Sequence, residues 1–386
     1  MLIGIDASRA LRVPRTGTEN YSLYLISALA ALETSHRFVL YSDRQPPAGL
    51  IEGRNVTWRV MPCRRLWTHL RLGWEVTAHP PDVLFVPAHV LPLGRRCPSV
   101  ATVHDLGYLH HATAHRPLDR AYLRLGTAWN CKSARRVLAD SLATRDDIVA
   151  ERLCHPDKIV VAYPAGTPGM APISDPHALH AVQERYGAGD LYWLCVGTLQ
   201  PRKNLETLIG AFSTLAHDIL PEGMRLVLAG RPGWYYERIQ QSIAESGVAD
   251  RIVVTGFVEE ADLAALLSAA FGFVLPSWYE GFGLPVLEAM ACGTPVICSR
   301  VSSLPEVAGD AALLFDPASQ QALESAMRRL WNEPSLRDGL RSRGLVQAAR
   351  FTWEACARTV MAALESAASE SGTGRAIAVE AAAKEE

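Results

Sequence analysis

Short apolar runs alternate with amphipathic stretches along the first part of the chain. The apolar runs predict strands near residues 2–5, 37–41, 83–86, 99–103, 136–139 and 158–161. The stretches between them carry apolar residues at helical spacing and predict helices near 18–32, 66–78, 117–134 and 142–152. This alternation of strand and helix predicts a parallel sheet covered by helices.

The alternation stops at residues 162–180, which are rich in Pro, Gly and Ala and predict a linker. Beyond the linker, strands are predicted near 192–196, 225–229, 252–255, 271–275 and 295–298. Helices are predicted near 204–217, 235–247, 260–270 and 284–292. The chain has 386 residues and is 49% hydrophobic, which is more than one ordinary core accommodates. We therefore predict two doubly wound α/β domains, with ligands bound in a cleft at the carboxyl ends of their strands.

Residues 274–309, VLPSWYEGFGLPVLEAMACGTPVICSRVSSLPEVAG, carry the richest candidate chemistry. Glu280 lies on a loop that follows a predicted strand, and Glu288 lies about a turn into the next predicted helix. Gly281 and Gly283 allow backbone N–H groups to approach a ligand such as a diphosphate. The carboxylates can accept hydrogen bonds from sugar hydroxyls. Two glutamates at this spacing are a weak signal alone, because most such pairs are solvated.

A second candidate segment, VGTLQPRKNLETLIGAF at residues 196–212, places Gly197 after a strand. Arg202 and Lys203 come just before a helix that Asn204 could cap. Arg grips phosphate oxygens through two parallel N–H bonds and Lys adds a point charge, so the two can stabilise a leaving diphosphate without a metal. The alternative is a solvated basic turn.

The first strand is followed by RTGTENYS, in which Thr16 and Glu19 have capping-box spacing around Gly17. A well-started helix is one interpretation, and a ligand contact by the glycine is compatible with it.

His104 and Asp105 lie at the carboxyl end of the apolar strand ATV. A histidine at this position can donate to a sugar hydroxyl or transfer a proton. The alternative is a strand-end histidine that is hydrogen-bonded only to the backbone.

The spacing of Glu280 and Glu288, the GFGLP turn, and the GTPVICS and LPEV segments together resemble the donor site of retaining nucleotide-sugar glycosyltransferases of family four. The resemblance covers residues 1–365. It implies the GT-B fold, with two Rossmann-like domains that face each other across a cleft. The sugar donor is then bound mainly by the C-terminal domain and the acceptor by the N-terminal domain.

The same resemblance implies roles for individual residues. Arg202 and Lys203 contact the donor pyrophosphate. Glu280 positions hydroxyls of the donor sugar and Glu288 binds the ribose. His104 contacts the sugar or the acceptor near the reacting carbon. Further substrate contacts are implied for Gly17, Asp105, Gly197, Gly281, Phe282, Gly283 and Leu284.

The expected domain bounds follow from the linker and the resemblance. The N-terminal domain is expected at residues 1–165 and the C-terminal, nucleotide-sugar-binding domain at 166–345. A last helix at 346–369 is expected to cross back to the N-terminal domain. Residues 370–386 lack a core-facing apolar stripe, so we predict a disordered tail.

The resemblance is closest to bacterial mannosyltransferase-like members. It implies transfer of mannose from GDP-mannose to a growing glycan or a lipid-linked acceptor in polysaccharide biosynthesis, by a retaining, front-face mechanism. Three alternatives stay open: a transferase with a UDP-sugar donor, a GT-B sugar-nucleotide epimerase, and a non-catalytic nucleotide-sugar-binding subunit.

The eight cysteines are scattered, with no CxxC and no Cys/His cluster at metal spacing. We therefore expect a reduced, cytoplasmic protein with no metal and no cofactor. The start, MLIGIDASRA, predicts a first strand rather than a signal peptide. No run approaches the roughly 18 apolar residues of a membrane span.

Charge is unevenly distributed, with 21 Lys and Arg against 14 Asp and Glu in residues 1–165. A basic half can favour a membrane surface or a lipid-phosphate acceptor, or it can reflect ordinary solvated arginine; both interpretations stay open. Nucleic acid is not an expected partner because no recognition motif is present.

Residues 63–76 interleave arginines with Trp67 and Trp74. We expect a helix that buries its aromatic side, with a peripheral contact at the inner membrane surface as the alternative.

Overall fold

A computed structural model of the chain describes residues 1–13, 15, 17–110 and 117–382. The chain forms two compact units, each built on one sheet. The first unit contains Met1–Leu106, Pro117–Pro164 and the residues from Thr352 onward, and the second consists mainly of Ala165–Phe351. Every strand pair in both sheets is parallel. The predicted α/β class is therefore confirmed.

The first unit is a seven-stranded sheet covered by helices. Its strands are β1 (Leu2–Asp6), β2 (Arg37–Ser42), β3 (Val56–Val60), β4 (Val83–Val86), β5 (Ser99–Val103), β6 (Arg136–Ala139) and β7 (Ile159–Val161). Its first helices are α1 (Gly17–Ala31), α2 (Gly73–Ala78), α4 (Pro117–Ser133) and α5 (Leu142–Ala150), whereas the short α3 (Gly107–His110) between α2 and α4 belongs to the second unit. A π-helical turn, Thr68–Leu72, leads into α2. The strand order is β3-β2-β1-β4-β5-β6-β7, so the direction of winding reverses between β1 and β4.

The second unit has a six-stranded sheet. Its strands are β8 (Leu191–Val196), β9 (Met224–Ala229), β10 (Ile252–Gly256), β11 (Gly272–Leu275), β12 (Val296–Ser299) and β13 (Ala312–Phe315). Its helices are α6 (Pro176–Tyr186), α7 (Leu205–Asp218), α8 (Tyr236–Glu245), α9 (Glu260–Ala269), α10 (Leu284–Ala291), α11 (Leu304–Ala308), α12 (Gln320–Asn332) and α13 (Pro334–Ala348). The strand order is β10-β9-β8-β11-β12-β13, again with a reversal, here between β8 and β11.

Several of these elements lie outside the predicted strands and helices. Helix α6 begins inside the predicted linker of residues 162–180, because Asp175 accepts a hydrogen bond from the backbone N–H of His177 and Pro176 occupies the first turn. The strands β3 and β13 and the helices α11, α12 and α13 were also not predicted.

The last helix, α14 (Trp353–Ala382), belongs to the first unit. Its buried face includes Val360 and Leu364, which are fully buried in the core beside α1 and β1. The expected domain end at residue 345 falls inside α13, and the chain returns to the first unit at Thr352. Helix α14 extends to Ala382, and the disordered tail expected from position 370 stays a prediction.

Within the described ranges, none of the helices combines the length and the apolar composition that a membrane crossing requires.

Candidate active site

The loop between β11 and α10 carries Glu280 and is held by two serines. The Ser303 hydroxyl donates to the carbonyl oxygens of Glu280 (3.0 Å) and Phe282 (2.8 Å). The Ser302 hydroxyl accepts from the backbone N–H of Glu280 at 2.9 Å. The backbone on both sides of the glutamate is therefore fixed, so its carboxylate is presented in one position.

Gly283 ends this loop with a left-handed backbone conformation, φ +103°, at the N-terminal cap of α10. A Cβ at Gly283 would lie 2.6 Å from Leu304 Cδ2, so no side chain fits. The Phe282 ring is buried and packs edge-to-face on Phe351, with centroids 5.6 Å apart. The structure thus gives the aromatic ring of Phe282 a packing role, while Leu284 begins the helix.

Glu280, Arg202 and Lys203 form a compact charged cluster in the second unit. Arg202 donates to Glu280 Oε2 at 2.9 Å, and Lys203 Nζ donates to Glu280 Oε1 at 2.7 Å. Ser277 donates to the same Oε1 at 2.6 Å, and Arg202 also donates to the carbonyl of Tyr279. The Glu280 and Lys203 side chains are each only 8% exposed. The structure therefore brings together the two cations and the carboxylate that the sequence analysis selected separately.

The electrostatics of this cluster keep Glu280 ionised. Burial by itself raises the pKa of the carboxyl, but Arg202 and Lys203 together outweigh burial and lower the pKa of Glu280 to about 2. Two positive charges are thus already held in a largely water-free position. An anion with several oxygens can replace or share the carboxylate as their partner.

Gly197 follows β8 and makes room for the lysine. A Cβ built on Gly197 would lie 3.0 Å from Lys203 Cε and 3.2 Å from Nζ. The predicted contact residue Gly197 therefore lies against Lys203.

Asn204 does precede α7, but its side chain makes no capping bond to the backbone of the helix. Its amide nitrogen donates to the carbonyl of Pro317 at 3.0 Å, and its amide oxygen accepts from the Thr207 hydroxyl at 2.8 Å. The prediction of a side-chain cap was wrong, because Asn204 adopts a left-handed conformation, φ 54°.

Glu288 is buried in α10 and is bonded to Thr167. The Thr167 hydroxyl donates to Glu288 Oε1 at 2.7 Å, and its backbone N–H lies 3.4 Å from the same oxygen. Burial raises the pKa of Glu288, and the two bonds from Thr167 only partly offset it. Thr167 was missed because it lies within the predicted linker.

His104 and Asp105 lie in the first unit, just after β5. His104 Nδ1 lies 2.7 Å from Asp140 Oδ2, and its ring contacts Tyr21 edge-on with centroids 4.7 Å apart. Burial alone lowers the pKa of His104, but Asp140, with a contribution from Asp105, raises it above the ordinary value. Asp140 was also missed, although its place directly after β6 is a usable signal.

Gly17 is the first residue of α1, and Thr16 of the predicted capping box lies outside the described residues. Glu19 lies 3.5 Å from Arg9. Gly281 lies between Glu280 and the buried Phe282. In the part of the chain that the structure describes, no group of three or more His, Cys, Asp or Glu side chains is arranged to hold a metal ion.

The segment 63–76 differs from its prediction. Trp67 is buried and its indole N–H donates to the carbonyl of Met61 at 2.8 Å. Trp74, in contrast, is 58% exposed, with the Arg71 guanidinium 5.1 Å from its ring centroid. The helix therefore does not bury its whole aromatic side.

Comparison of the chain with known proteins identifies its family. Residues 15–165 match the family described as Glycosyltransferase Family 4, and residues 181–346 match the family described as Glycosyl transferases group 1. O-antigen chain mannosyltransferase B of Escherichia coli is 32% identical over 372 residues, which covers 91% of this chain and 96% of that protein.

Two further similarities extend this result. GDP-mannose-dependent alpha-(1-6)-phosphatidylinositol monomannoside mannosyltransferase of Mycolicibacterium smegmatis is 32% identical over 170 residues, or 42% of this chain and 44% of that protein. The crystal structure of Anabaena Alr3699/HepE in complex with UDP and glucose has a TM-score of 0.73 at 18% identity, and covers 95% of this chain and 99% of that one. The chain therefore has the GT-B fold and belongs to the family-four glycosyltransferases.

Proposed function

We propose that this glycosyltransferase transfers mannose from GDP-mannose to a growing glycan or a lipid-linked acceptor, with retention of anomeric configuration. The observation that carries the proposal is the cluster of Arg202, Lys203 and Glu280, which combines two cations suited to a diphosphate with a carboxylate suited to sugar hydroxyls. The choice of mannose is supported by the names of the relatives from Escherichia coli and Mycolicibacterium smegmatis, and the latter supports GDP as the nucleotide.

In the proposed reaction, Arg202 and Lys203 bind the diphosphate of the donor. The bond between the sugar C1 and the diphosphate oxygen breaks, and negative charge grows on the diphosphate, where the two cations stabilise it. The acceptor hydroxyl forms a new bond to C1 on the same face, and its proton passes to the departing diphosphate. Glu280 then holds hydroxyls of the donor sugar, since its carboxylate is ionised and fixed.

The remaining residues are proposed to bind substrate. Glu288 accepts hydrogen bonds from the ribose, with Thr167 orienting its carboxylate. His104, held by Asp140, contacts the sugar or acceptor near the reacting carbon. Because Arg202 and Lys203 supply the positive charge, we propose that the reaction needs no metal. We also propose that the protein acts in the cytoplasm.

The donor is tested by incubating the purified protein with GDP-mannose, UDP-glucose and UDP-N-acetylglucosamine, with and without EDTA. Turnover of GDP-mannose that EDTA leaves unchanged is the expected result. Turnover of a UDP-sugar alone would replace the proposed donor. Interconversion of nucleotide sugars without an acceptor would indicate an epimerase, and nucleotide binding without turnover would indicate a non-catalytic subunit.

The cluster is tested with Lys203→Gln, and the exposed Lys132→Gln in the first unit is the control. Loss of one such stabilising group costs about 10²–10³-fold in turnover. We expect this loss for Lys203→Gln and none for the control. A covalent glycosyl–Glu280 adduct in mass spectra would overturn the front-face mechanism.

A further inference from the structure

A cavity of about 530 Å³ lies in the first unit and shares no residue with the Arg202–Lys203–Glu280 cluster. Its lining residues follow the carboxyl ends of four strands: Arg9 after β1, Arg44 after β2, Cys63 after β3 and His89 after β4. Ligands of open α/β sheets bind at this edge, near the reversal of strand order. In this sheet the reversal lies between β1 and β4. The cavity therefore lies where the fold places a substrate.

The lining of this cavity is strongly basic. It includes one carboxylate, Asp43, and five arginines, which are Arg9, Arg12, Arg44, Arg64 and Arg65. Asp43 is shared between Arg12 at 2.9 Å and Arg44 at 3.3 Å. Arg64 and Arg65 are exposed, and neither forms an ion pair within the residues that the structure describes. The cavity thus keeps an excess of positive charge, which concentrates anions in a concave site.

One of the two histidines in the lining, His89, adds no charge at neutral pH. His89 lies 3.4 Å from an Arg9 nitrogen through Nδ1 and 3.4 Å from the Tyr122 hydroxyl through Nε2. Burial, followed by the charge of Arg9, lowers the pKa of His89 to about 4. The positive charge of the five arginines does not depend on His89, and it persists across the physiological pH range.

We propose that this cavity binds the phosphate or diphosphate group of an anionic acceptor. The inference rests on the proposed function, because it specifies the acceptor class of the same transferase. Guanidinium groups match phosphate oxygens in a bidentate geometry, and several of them around one cavity suit a group with more than one negative charge. The volume is within the range of about 300–1,000 Å³ that small-molecule sites occupy.

An apolar stripe begins at the rim of the cavity. Leu66 belongs to the lining and is 64% exposed, and its backbone has a positive φ of 52°. Leu70 and Trp74 follow at four-residue spacing and are 60% and 58% exposed. Leu66 precedes the helical segment, and the spacing of Leu70 and Trp74 keeps these two side chains on one side of it. A lipid-linked diphosphate and a soluble sugar phosphate both present phosphate oxygens to the arginines, and only the former also presents an alkyl chain to the stripe.

The test measures binding by calorimetry to the full chain saturated with GDP and UDP, so that the donor site is occupied. The probes are mannose 1-phosphate, octyl α-mannoside and octyl mannosyl diphosphate. The variant is Arg64→Ala/Arg65→Ala, and the matched control is Arg54→Ala/Arg96→Ala, whose arginines are exposed in the same unit but do not line the cavity. Because the altered side chains are exposed, both double variants should fold, which thermal melting verifies.

We expect both phosphate-bearing probes to bind more tightly than octyl α-mannoside. The Arg64→Ala/Arg65→Ala variant should weaken their binding about tenfold or more, as expected for losing hydrogen bonds between charged groups, while the control should not. Tighter binding of octyl mannosyl diphosphate than of mannose 1-phosphate would identify a lipid-linked acceptor. Equal or weaker binding of octyl mannosyl diphosphate would identify a soluble acceptor. Either order supports the cavity as the anion site.

Equal binding of charged and uncharged probes, or equal losses in variant and control, would overturn the inference. The proposed function fails separately, if the wild-type protein binds and turns over no nucleotide sugar. In that case, phosphate-dependent binding that still requires Arg64 and Arg65 would continue to support the cavity as an anion-binding site.

Discussion

At the scale of single residues, the contacts of Glu280 allow a stability prediction. The change Glu280→Gln leaves Arg202 and Lys203 without their buried counter-charge. Removing one partner of a buried ion pair costs about 3–5 kcal/mol, and the partial exposure of Arg202 places this case at the lower end. Urea denaturation at neutral pH measures the loss, with the exposed Glu222→Gln as the control.

The same variant has a defined pH dependence. The pKa of Glu280 falls from 4.5 to about 2 on folding, so its stabilising contribution is present above about pH 4.5 and is lost as the pH falls toward 2. The difference in unfolding free energy between wild type and Glu280→Gln should therefore shrink over that acidic range. A difference that stayed constant would contradict the assigned ion pair.

Asp140 provides a second prediction at this scale. Because Asp140 raises the pKa of His104, the change Asp140→Asn should lower that pKa, as followed by the imidazole signals in NMR titrations. A raised pKa stabilises the folded state below the ordinary value of 6.5 and the contribution disappears at higher pH, so the variant should lose stability mainly at acidic pH. The change Asp146→Asn, at an exposed carboxylate, should leave the titration unaltered.

The sequence could predict the residues that carry chemistry but not those that position them. Glu280 and Glu288 share one short motif, so their residue types and spacing are visible in a single segment. Thr167, in contrast, is 121 positions from Glu288, and Asp140 is 36 positions from His104. Such contacts depend on the tertiary fold, and no local pattern encodes them.

At the scale of secondary-structure elements, prediction succeeded where burial is uniform. Strand β4 is buried at every position and was predicted with its observed bounds. Strand β3 at the sheet edge alternates between intermediate and exposed positions, and β13 is mostly of intermediate burial, so neither forms a run of fully buried residues. Edge strands need only one protected face, and their sequences therefore carry a weaker apolar signal.

The start of α1 yields a prediction for an element. A Cβ on Gly17 would meet nothing within 4 Å in the described structure, so Gly17→Leu should melt within a few degrees of wild type. If Gly17 contacts the donor as the family resemblance implies, turnover should fall about tenfold or more. Gly223→Leu, at an equally open position, is the control for both measurements. An unchanged rate would remove Gly17 from the site.

At the scale of the whole molecule, the first unit depends on a segment from the end of the chain. A chain that ends at Phe351 lacks α14 and hence the buried Val360, Met361 and Leu364. Each such side chain contributes about 1.5–3 kcal/mol, so the sum approaches the 5–15 kcal/mol of an ordinary domain. Hydrogen exchange should show that the backbone amides of the first unit have lost their protection. The second unit should keep its protection and its nucleotide binding.

A chain that ends at Glu370 serves as the matched control for this truncation. It keeps every α14 side chain that the structure describes as buried in the core, of which the last is Ala367. Protection of the first unit should therefore equal that of the full chain. If the chain ending at Phe351 were equally protected, the core contribution of α14 would be disproved.

The late position of α14 also has a consequence for synthesis on the ribosome. All strands of the first sheet have been made once Val161 is added, whereas the helix that completes their core begins only at Trp353. At about 5–20 residues per second, this interval lasts on the order of ten seconds or more. The second unit, whose main part Ala165–Phe351 is made within this interval, can fold during that time. The part of the chain that is translated first is therefore expected to reach its native state last.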